Sequence, residues 1–231
     1  GMNFVFGYFV LPETLPPDQR RPFSLRRSNP VGALKVFASY RGVVPLAAVM
    51  FAYFLATSVY PAIWAFWGIA RFGWSEAMIG LTLAAFGLIT AIIQGTLTGP
   101  TVKWLGEKNT VIFGLAVSVI AAAGYAWAPG LLAVMVLLVI HAPEGFVHPA
   151  LTAMMSKSAP PDAQGELQGG IASLQSIAML IGTVFFAQVF GWFMQPTSPI
   201  VTPSAGYVIA AVILAGVLAF FLLLRQPRVD D

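Results

Sequence analysis

Leu131-Leu132-Ala133-Val134-Met135-Val136-Leu137-Leu138-Val139-Ile140-His141-Ala142-Pro143-Glu144-Gly145-Phe146-Val147-His148-Pro149-Ala150-Leu151-Thr152-Ala153-Met154-Met155 decides the fold. At about 1.5 Å per residue it is long enough to cross a hydrocarbon core of about 30 Å. It also holds both histidines of the chain and the one acid that falls inside a long apolar run. At about 100° per residue, His141, Glu144, Gly145, His148 and Thr152 share one sector of a helix, with Leu132, Met135, Leu138 and Phe146 on the other sides. This is a polar stripe on a membrane-length helix.

An ionisable group at bilayer depth costs on the order of 2.5–3.5 kcal/mol or more, so it faces a bundle interior or a water cavity and marks a proton, ion or substrate path. A plainer reading stands beside it. Two histidines and a glutamate can satisfy one another where Pro143 and Pro149 remove backbone donors and bend the helix. His at i, acid at i+3 and His at i+7 also suit a metal ion. No cysteine and no second intramembrane acid completes such a site, and none is assigned.

The rest of the chain agrees with a membrane location. Of its 231 residues, 58% are hydrophobic and only 9% charged, far from the balance of a soluble domain. Six apolar runs follow residue 42, at about 43–69, 77–99, 110–128, 131–155, 168–193 and 206–224. Each is read as a helix, because an open strand leaves its backbone unsatisfied in lipid. The fold class is therefore an all-α integral membrane protein.

The formal charge is +3, but the basic residues lie in loops without interleaved aromatic reading groups, so no nucleic-acid partner is expected. Alternating the crossings puts 12–42, 100–109, 156–167 and the tail on one side. Those segments hold Arg20, Arg21, Arg26, Arg27, Lys35, Arg41, Lys103, Lys108, Lys157, Arg225 and Arg228, against Arg71 alone opposite. That bias places them and the C-terminus in the cytoplasm. Residues 1–11 read as the end of a truncated transmembrane helix, 12–42 as a cytoplasmic linker with a short amphipathic helix near Val31–Tyr40, 43–225 as the six-helix domain and 226–231 as the tail. Three helices on each side of Pro129 suit an inverted repeat. Pro61 and the pair Pro143/Pro149 predict bends. Glycines 80, 87, 95 and 99, with 165, 169, 170 and 182, predict close helix contacts.

Gln94 and Gln175 are candidate cargo-binding residues, with helix-to-helix hydrogen bonding as the alternative. Trp64 is a candidate platform for a planar molecule, whereas Trp74 and Trp192 read as interface anchors. No cofactor is expected. Neither a phosphate loop nor a nucleophile elbow is present, and the chain is not read as an enzyme.

Several motifs carry a resemblance. They are Pro61-Ala62-Ile63-Trp64, Arg71-Phe72-Gly73-Trp74, Gly80-Leu81-Thr82-Leu83-Ala84 with Gly87-Leu88, Trp104-Leu105-Gly106-Glu107-Lys108, Pro149-Ala150-Leu151 with Met155-Ser156, and Gln164-Gly165-Glu166-Leu167-Gln168-Gly169. In this order the chain resembles the C-terminal half of tetracycline-resistance-type drug/proton antiporters of the major facilitator superfamily.

The resemblance implies a major-facilitator-type bundle: the C-terminal six-helix half plus the end of the preceding helix. The spans are then the seventh to twelfth, and the seventh, eighth, tenth and eleventh face a central cavity, which puts Glu144, Gln94 and Gln175 on cavity-lining helices. It further implies a secondary transporter of the bacterial inner membrane that exports a lipophilic drug-like cargo against protons, with a missing N-terminal half as partner. A half-size protein acting as a dimer or accessory partner is the alternative.

Two departures stand out. In the loop pattern Gly-x-x-x-Asp-Arg-x-Gly-Arg-Lys only Gly99, Gly106 and Lys108 match. Where such proteins have a glycine-rich turn before Pro149-Ala150, this chain has His141, Glu144 and His148 as its candidate proton-coupling residues.

Overall fold

The computed structural model describes Phe6, Phe9 and residues 35–40 and 42–224. Apart from Phe6 and Phe9, the expected span end at 1–11 lies outside the described residues, as do most of the 12–42 linker and the 226–231 tail. Those described form helices: α1 (Val36–Ser39), α2 (Val43–Thr57), α3 (Val59–Phe72), α4 (Glu76–Trp127), α5 (Leu131–His141), α6 (Val147–Ser156), α7 (Gln164–Phe193) and α8 (Ala205–Leu223). A 3₁₀ segment, Ala142–Phe146, joins α5 to α6, and another, Pro161–Ala163, leads into α7.

Five helical stretches are long and apolar enough to cross a membrane: Val43–Phe72, Glu76–Trp127, Leu131–Ser156, Pro161–Phe193 and Ala205–Leu223. The second, at 52 residues, is about 78 Å of helix, more than twice a hydrocarbon core. It is two crossings. Gly106 breaks it with φ +75° and ψ 164°, a left-handed position that glycine takes without a Cβ clash. The arms fold back on each other, because Thr82 in the first and Tyr125 in the second both touch Trp64: Trp64 Nε1 donates to Thr82 Oγ1 at 3.0 Å and its ring meets Tyr125 at 5.3 Å. The six crossings expected from the apolar runs are thus present.

The first crossing is interrupted at Ser58, between α2 and α3. Pro61, three residues on, has no N–H for the Thr57 carbonyl, so the local ladder loses a rung where a bend was expected. At the far end Gly73 caps α3 in the left-handed region, φ +67°. Its N–H donates to Ile69 O at 2.9 Å and that of Trp74 to Gly68 O at 3.3 Å. This cap folds Trp74 back over Gly68, whose missing side chain makes the room. Trp74 is therefore buried among Trp64, Trp67 and Phe72, and the expected interface anchor is a core residue. Trp192 is exposed.

The same correction applies to the glycines. A Cβ at Gly80, Gly87, Gly95, Gly99, Gly165 or Gly169 would meet open space. Of that set, Gly182 alone seats a neighbour, Ser58 of the first crossing, while Gly170 is buried within α7. Close approaches occur at positions not singled out by motif: Gly114 against Val147, Gly124 against Leu137, and Gly206 against Ile63. Between helices in lipid, such contacts and hydrogen bonds replace the hydrophobic drive. The single turn of α1 buries Val36 and Phe37 in the core and leaves Ala38 and Ser39 exposed; residues 31–34 of the helix expected near 31–40 lie outside the described residues.

Lys157 Nζ lies 2.8 Å from Glu107 Oε1, so the 100–109 and 156–167 connections share one end of the bundle. Trp67 Nε1 donates to Ser204 Oγ at 3.2 Å at the other end, beside Trp74 and Tyr125.

Candidate functional site

The site begins with a change of helix type. Pro143 sits near the start of the 3₁₀ segment Ala142–Phe146, where its missing N–H costs least. A 3₁₀ turn advances about 120° per residue, so positions three apart eclipse. His141 and Glu144 are therefore stacked rather than staggered, and Nε2 of His141 comes within 2.7 Å of Glu144 Oε2. The approach is a close charge contact off hydrogen-bond geometry, since Nε2 has no hydrogen-bond partner.

Glu144 has a second partner. Tyr53 Oη, from α2, donates to its Oε1 at 2.5 Å. On the other side of the imidazole, Tyr125 Oη lies 3.3 Å from His141 Nδ1. With the proton on Nε2, facing the carboxylate, Nδ1 accepts from Tyr125; with both nitrogens protonated, Tyr125 accepts. Tyr53, Glu144, His141 and Tyr125 thus form a chain of polar groups from three crossings. The His141 ring is 2% exposed and packs on Phe86 at 5.0 Å and Tyr60 at 4.4 Å.

His148 does not join this chain. Its ring meets the edge of Phe54 at 5.4 Å, and its Nε2 is buried without a hydrogen-bond partner. After the 3₁₀ turn the helix has rotated further than a continuous α-helix would, which moves His148 off the His141–Glu144 azimuth. It shares a cavity with Glu144 instead.

That cavity, about 260 Å³, is bounded by Tyr53, Phe54, Phe86, Thr90, Gln94, Glu144, Gly145, His148 and Gln175, among others. Of the expected site residues, Glu144, His148, Gln94 and Gln175 are brought together here, from three crossings. Gln94 lies directly over Gly145, where any Cβ would collide with its amide. Thr90 Oγ1 and Thr152 Oγ1 are further buried polar atoms without a partner.

A second cavity of about 440 Å³ lies on the other side of Phe86 and His141, bounded by Tyr60, Pro61, Trp64, Ala65, Thr82, Leu83, Tyr125 and Leu138 as well. Trp64 lines this one, not the polar one, with its N–H committed to Thr82. Among the described residues no three His, Cys, Asp or Glu side chains are grouped as metal ligands.

Tyr53, Tyr60 and Tyr125 were not foreseen as site residues. A phenol within an apolar run needs a partner at bilayer depth, and that signal was present in the sequence at each of them.

The Major Facilitator Superfamily model matches residues 1–183. The chain belongs to the Major Facilitator Superfamily. Among curated proteins it is 36% identical over 193 residues to the class C tetracycline resistance protein of Escherichia coli, covering 82% of this chain and 48% of that protein. It is 36% identical over 164 residues to the class G tetracycline resistance protein of Vibrio anguillarum, covering 71% and 42%. The chain spans about half the length of these relatives. The solved human organic anion transporter MFSD10 superposes with a TM-score of 0.80 at 21% identity, over 95% of this chain and 54% of that one; at this identity the likeness is one of fold. As a superfamily member, the chain is a multi-pass membrane transporter component and not an enzyme.

Proposed function

We propose that this chain forms the C-terminal wall of a proton-coupled exporter of a lipophilic, drug-like compound in a bacterial inner membrane, with Glu144 as the coupling carboxylate. The observation that carries the reading is Glu144 itself. It is a membrane-depth acid at the wall of a polar cavity, held by the Tyr53 hydroxyl and the His141 imidazole. The kinship with tetracycline resistance proteins supports export, and makes tetracycline the first cargo to try.

The carboxylate is acceptor-only while ionised and becomes a donor when protonated. Taking up a proton therefore weakens its hold on His141 and reverses or releases the bond from Tyr53. The 3₁₀ turn, carrying Glu144 between Pro143 and Pro149, converts that change into movement of α5 against α6. Gln94, Gln175 and His148 face the cargo. Rocking against an N-terminal half then alternates access. The loops at 12–42, 100–109 and 156–167, with the C-terminus, are assigned to the cytoplasm on their basic residues.

The test uses the full-length protein in everted vesicles with an imposed proton gradient. Wild type should accumulate tetracycline, whereas Glu144→Gln should lose gradient-driven accumulation about tenfold or more and keep exchange of cargo down its own gradient. Wild-type accumulation by Glu144→Gln sinks the coupling assignment.

A further inference from the structure

The His141 ring is held in place. Phe86 is stacked on it at 5.0 Å with 24° between the planes, Tyr60 lies against it at 4.4 Å, and the residue is 2% exposed. Each ring nitrogen therefore keeps the neighbour it has, Glu144 Oε2 at 2.7 Å from Nε2 and Tyr125 Oη at 3.3 Å from Nδ1. Which nitrogen carries hydrogen depends on what those two oxygens can give or take.

The Tyr125 hydroxyl has one hydrogen, and among the described residues His141 is its one hydrogen-bond partner. The rings around it belong to Tyr60, Trp64, Trp67 and Tyr207. Both indole N–H groups are donors and are committed to Thr82 and Ser204. The hydroxyls of Tyr60 and Tyr207 have no hydrogen-bond partner, so neither takes up the Tyr125 hydrogen. That hydrogen either goes to Nδ1 or is buried without an acceptor, which costs the full desolvation of the group. With Nδ1 accepting, the neutral ring carries its own hydrogen on Nε2, facing the carboxylate. The opposite tautomer would set a bare nitrogen against an ionised oxygen at 2.7 Å. An imidazolium would make Tyr125 the acceptor and leave its hydrogen with no partner.

We propose that Tyr125 is a positioning residue for proton coupling: its hydroxyl holds His141 as the neutral Nε2–H tautomer, so the coupling proton is taken by Glu144 itself and not by the histidine beside it. The inference deepens the export reading and rests on Glu144 as its coupling acid. Oε2 stays the acceptor facing Nε2–H. The arriving proton forms its O–H bond at Oε1, where the Tyr53 hydroxyl turns from donor to acceptor and keeps its own hydrogen. Tyr125 lies on the second arm of α4, outside the walls of the polar cavity. A crossing that touches no cargo there thus takes part in coupling. The titratable side chains around the His141–Glu144 pair are Tyr53, Tyr60 and Tyr125, with His148 apart from them.

Imidazole nitrogen NMR tests it. Full-length protein labelled with nitrogen-15 at histidine is measured in lipid bilayers between about pH 6 and 8, and the His141 signals are identified by their loss in His141→Gln. Wild type should show a bare, hydrogen-bonded Nδ1 and a protonated Nε2 throughout. Tyr125→Phe keeps the ring and removes the hydroxyl. Its Nδ1 should lose the hydrogen-bond shift, and the doubly protonated fraction at the acid end should rise about fivefold. Tyr60→Phe removes a hydroxyl without a partner from the same cluster and should leave the His141 spectrum as in wild type, which separates the tautomer effect from a loss of packing. In everted vesicles Tyr125→Phe should lower gradient-driven accumulation of tetracycline about fivefold and spare exchange. The proposal is overturned by a wild-type His141 that is doubly protonated or carries its hydrogen on Nδ1, by a Tyr125→Phe spectrum identical to wild type, by an equal change in Tyr60→Phe, or by undiminished accumulation in Tyr125→Phe. The wild-type spectrum decides the tautomer even where a variant fails to fold. Full accumulation by Glu144→Gln would remove the coupling acid and leave the spectra standing, whereas a contrary spectrum would remove the role of Tyr125 and leave Glu144 standing.

Discussion

His141 and His148 sit seven residues apart on one membrane-length run, yet one is built into a chain of polar groups and the other stands outside it. His141 is sealed between Tyr60 and Phe86, with Glu144 and Tyr125 on its two nitrogens. His148 rests edge-on against Phe54 at the wall of the polar cavity, its Nε2 buried and without a hydrogen-bond partner. The difference comes from the turn between them. In a continuous α-helix both would flank Glu144 on one stripe; the 3₁₀ segment aligns Glu144 with the first histidine and swings the second away. A proline-bearing segment thus divides one stripe between a histidine held against the acid and a histidine that only lines the cavity.

His141→Phe is the strongest way to break this contrast. It keeps the aromatic packing but leaves Glu144 without the His141 imidazole, and should lower stability by about 1–3 kcal/mol, read as a drop in thermal unfolding temperature of the purified full-length protein. An unchanged melt would mean that the pair does not hold the turn.

Gly145→Val comes next. Its side chain would collide with the amide end of Gln94, an exposed, flexible side chain that can turn aside, so the cost should be about 1 kcal/mol, and cargo affinity should fall while proton coupling persists. Adding Gln94→Ala should recover stability, so the pair should be less than additive; strict additivity would show that the two residues do not share the space.

His148→Gln sharpens the comparison from the other side. With no bond to lose, it should shift stability by less than about 1 kcal/mol and act on cargo affinity instead. A loss of stability like that of His141→Phe would erase the distinction. The smallest effect is expected at the bundle end, where Lys157→Ala removes an ion pair whose lysine is 71% exposed. Such pairs contribute about 0–1 kcal/mol, and denaturant or thermal titration should barely register it.

Much of the fold was readable from one-dimensional properties. Length and apolarity of each run define a crossing without reference to any other run, and the break at Gly106 lies in the short basic link 100–109. The polar stripe was readable for the same reason, since a charged residue in an apolar run is anomalous wherever it packs. Trp74 was misread because its place depends on a left-handed cap that folds it onto Gly68. The motif glycines were misread because spacing reports a small face, not whether another helix lies against it.

The sequence by itself determined an all-helical membrane chain, its six crossings and the address of its one intramembrane acid, all consequences of how single segments partition between water and lipid. Tertiary structure alone decided that Tyr53 and Tyr125 complete the Glu144–His141 pair, that His148 is excluded from it, and that Trp64 faces a different chamber from Gln94 and Gln175. Those outcomes depend on which helices cross where and on a few degrees of rotation in a 3₁₀ turn, quantities that no single segment carries.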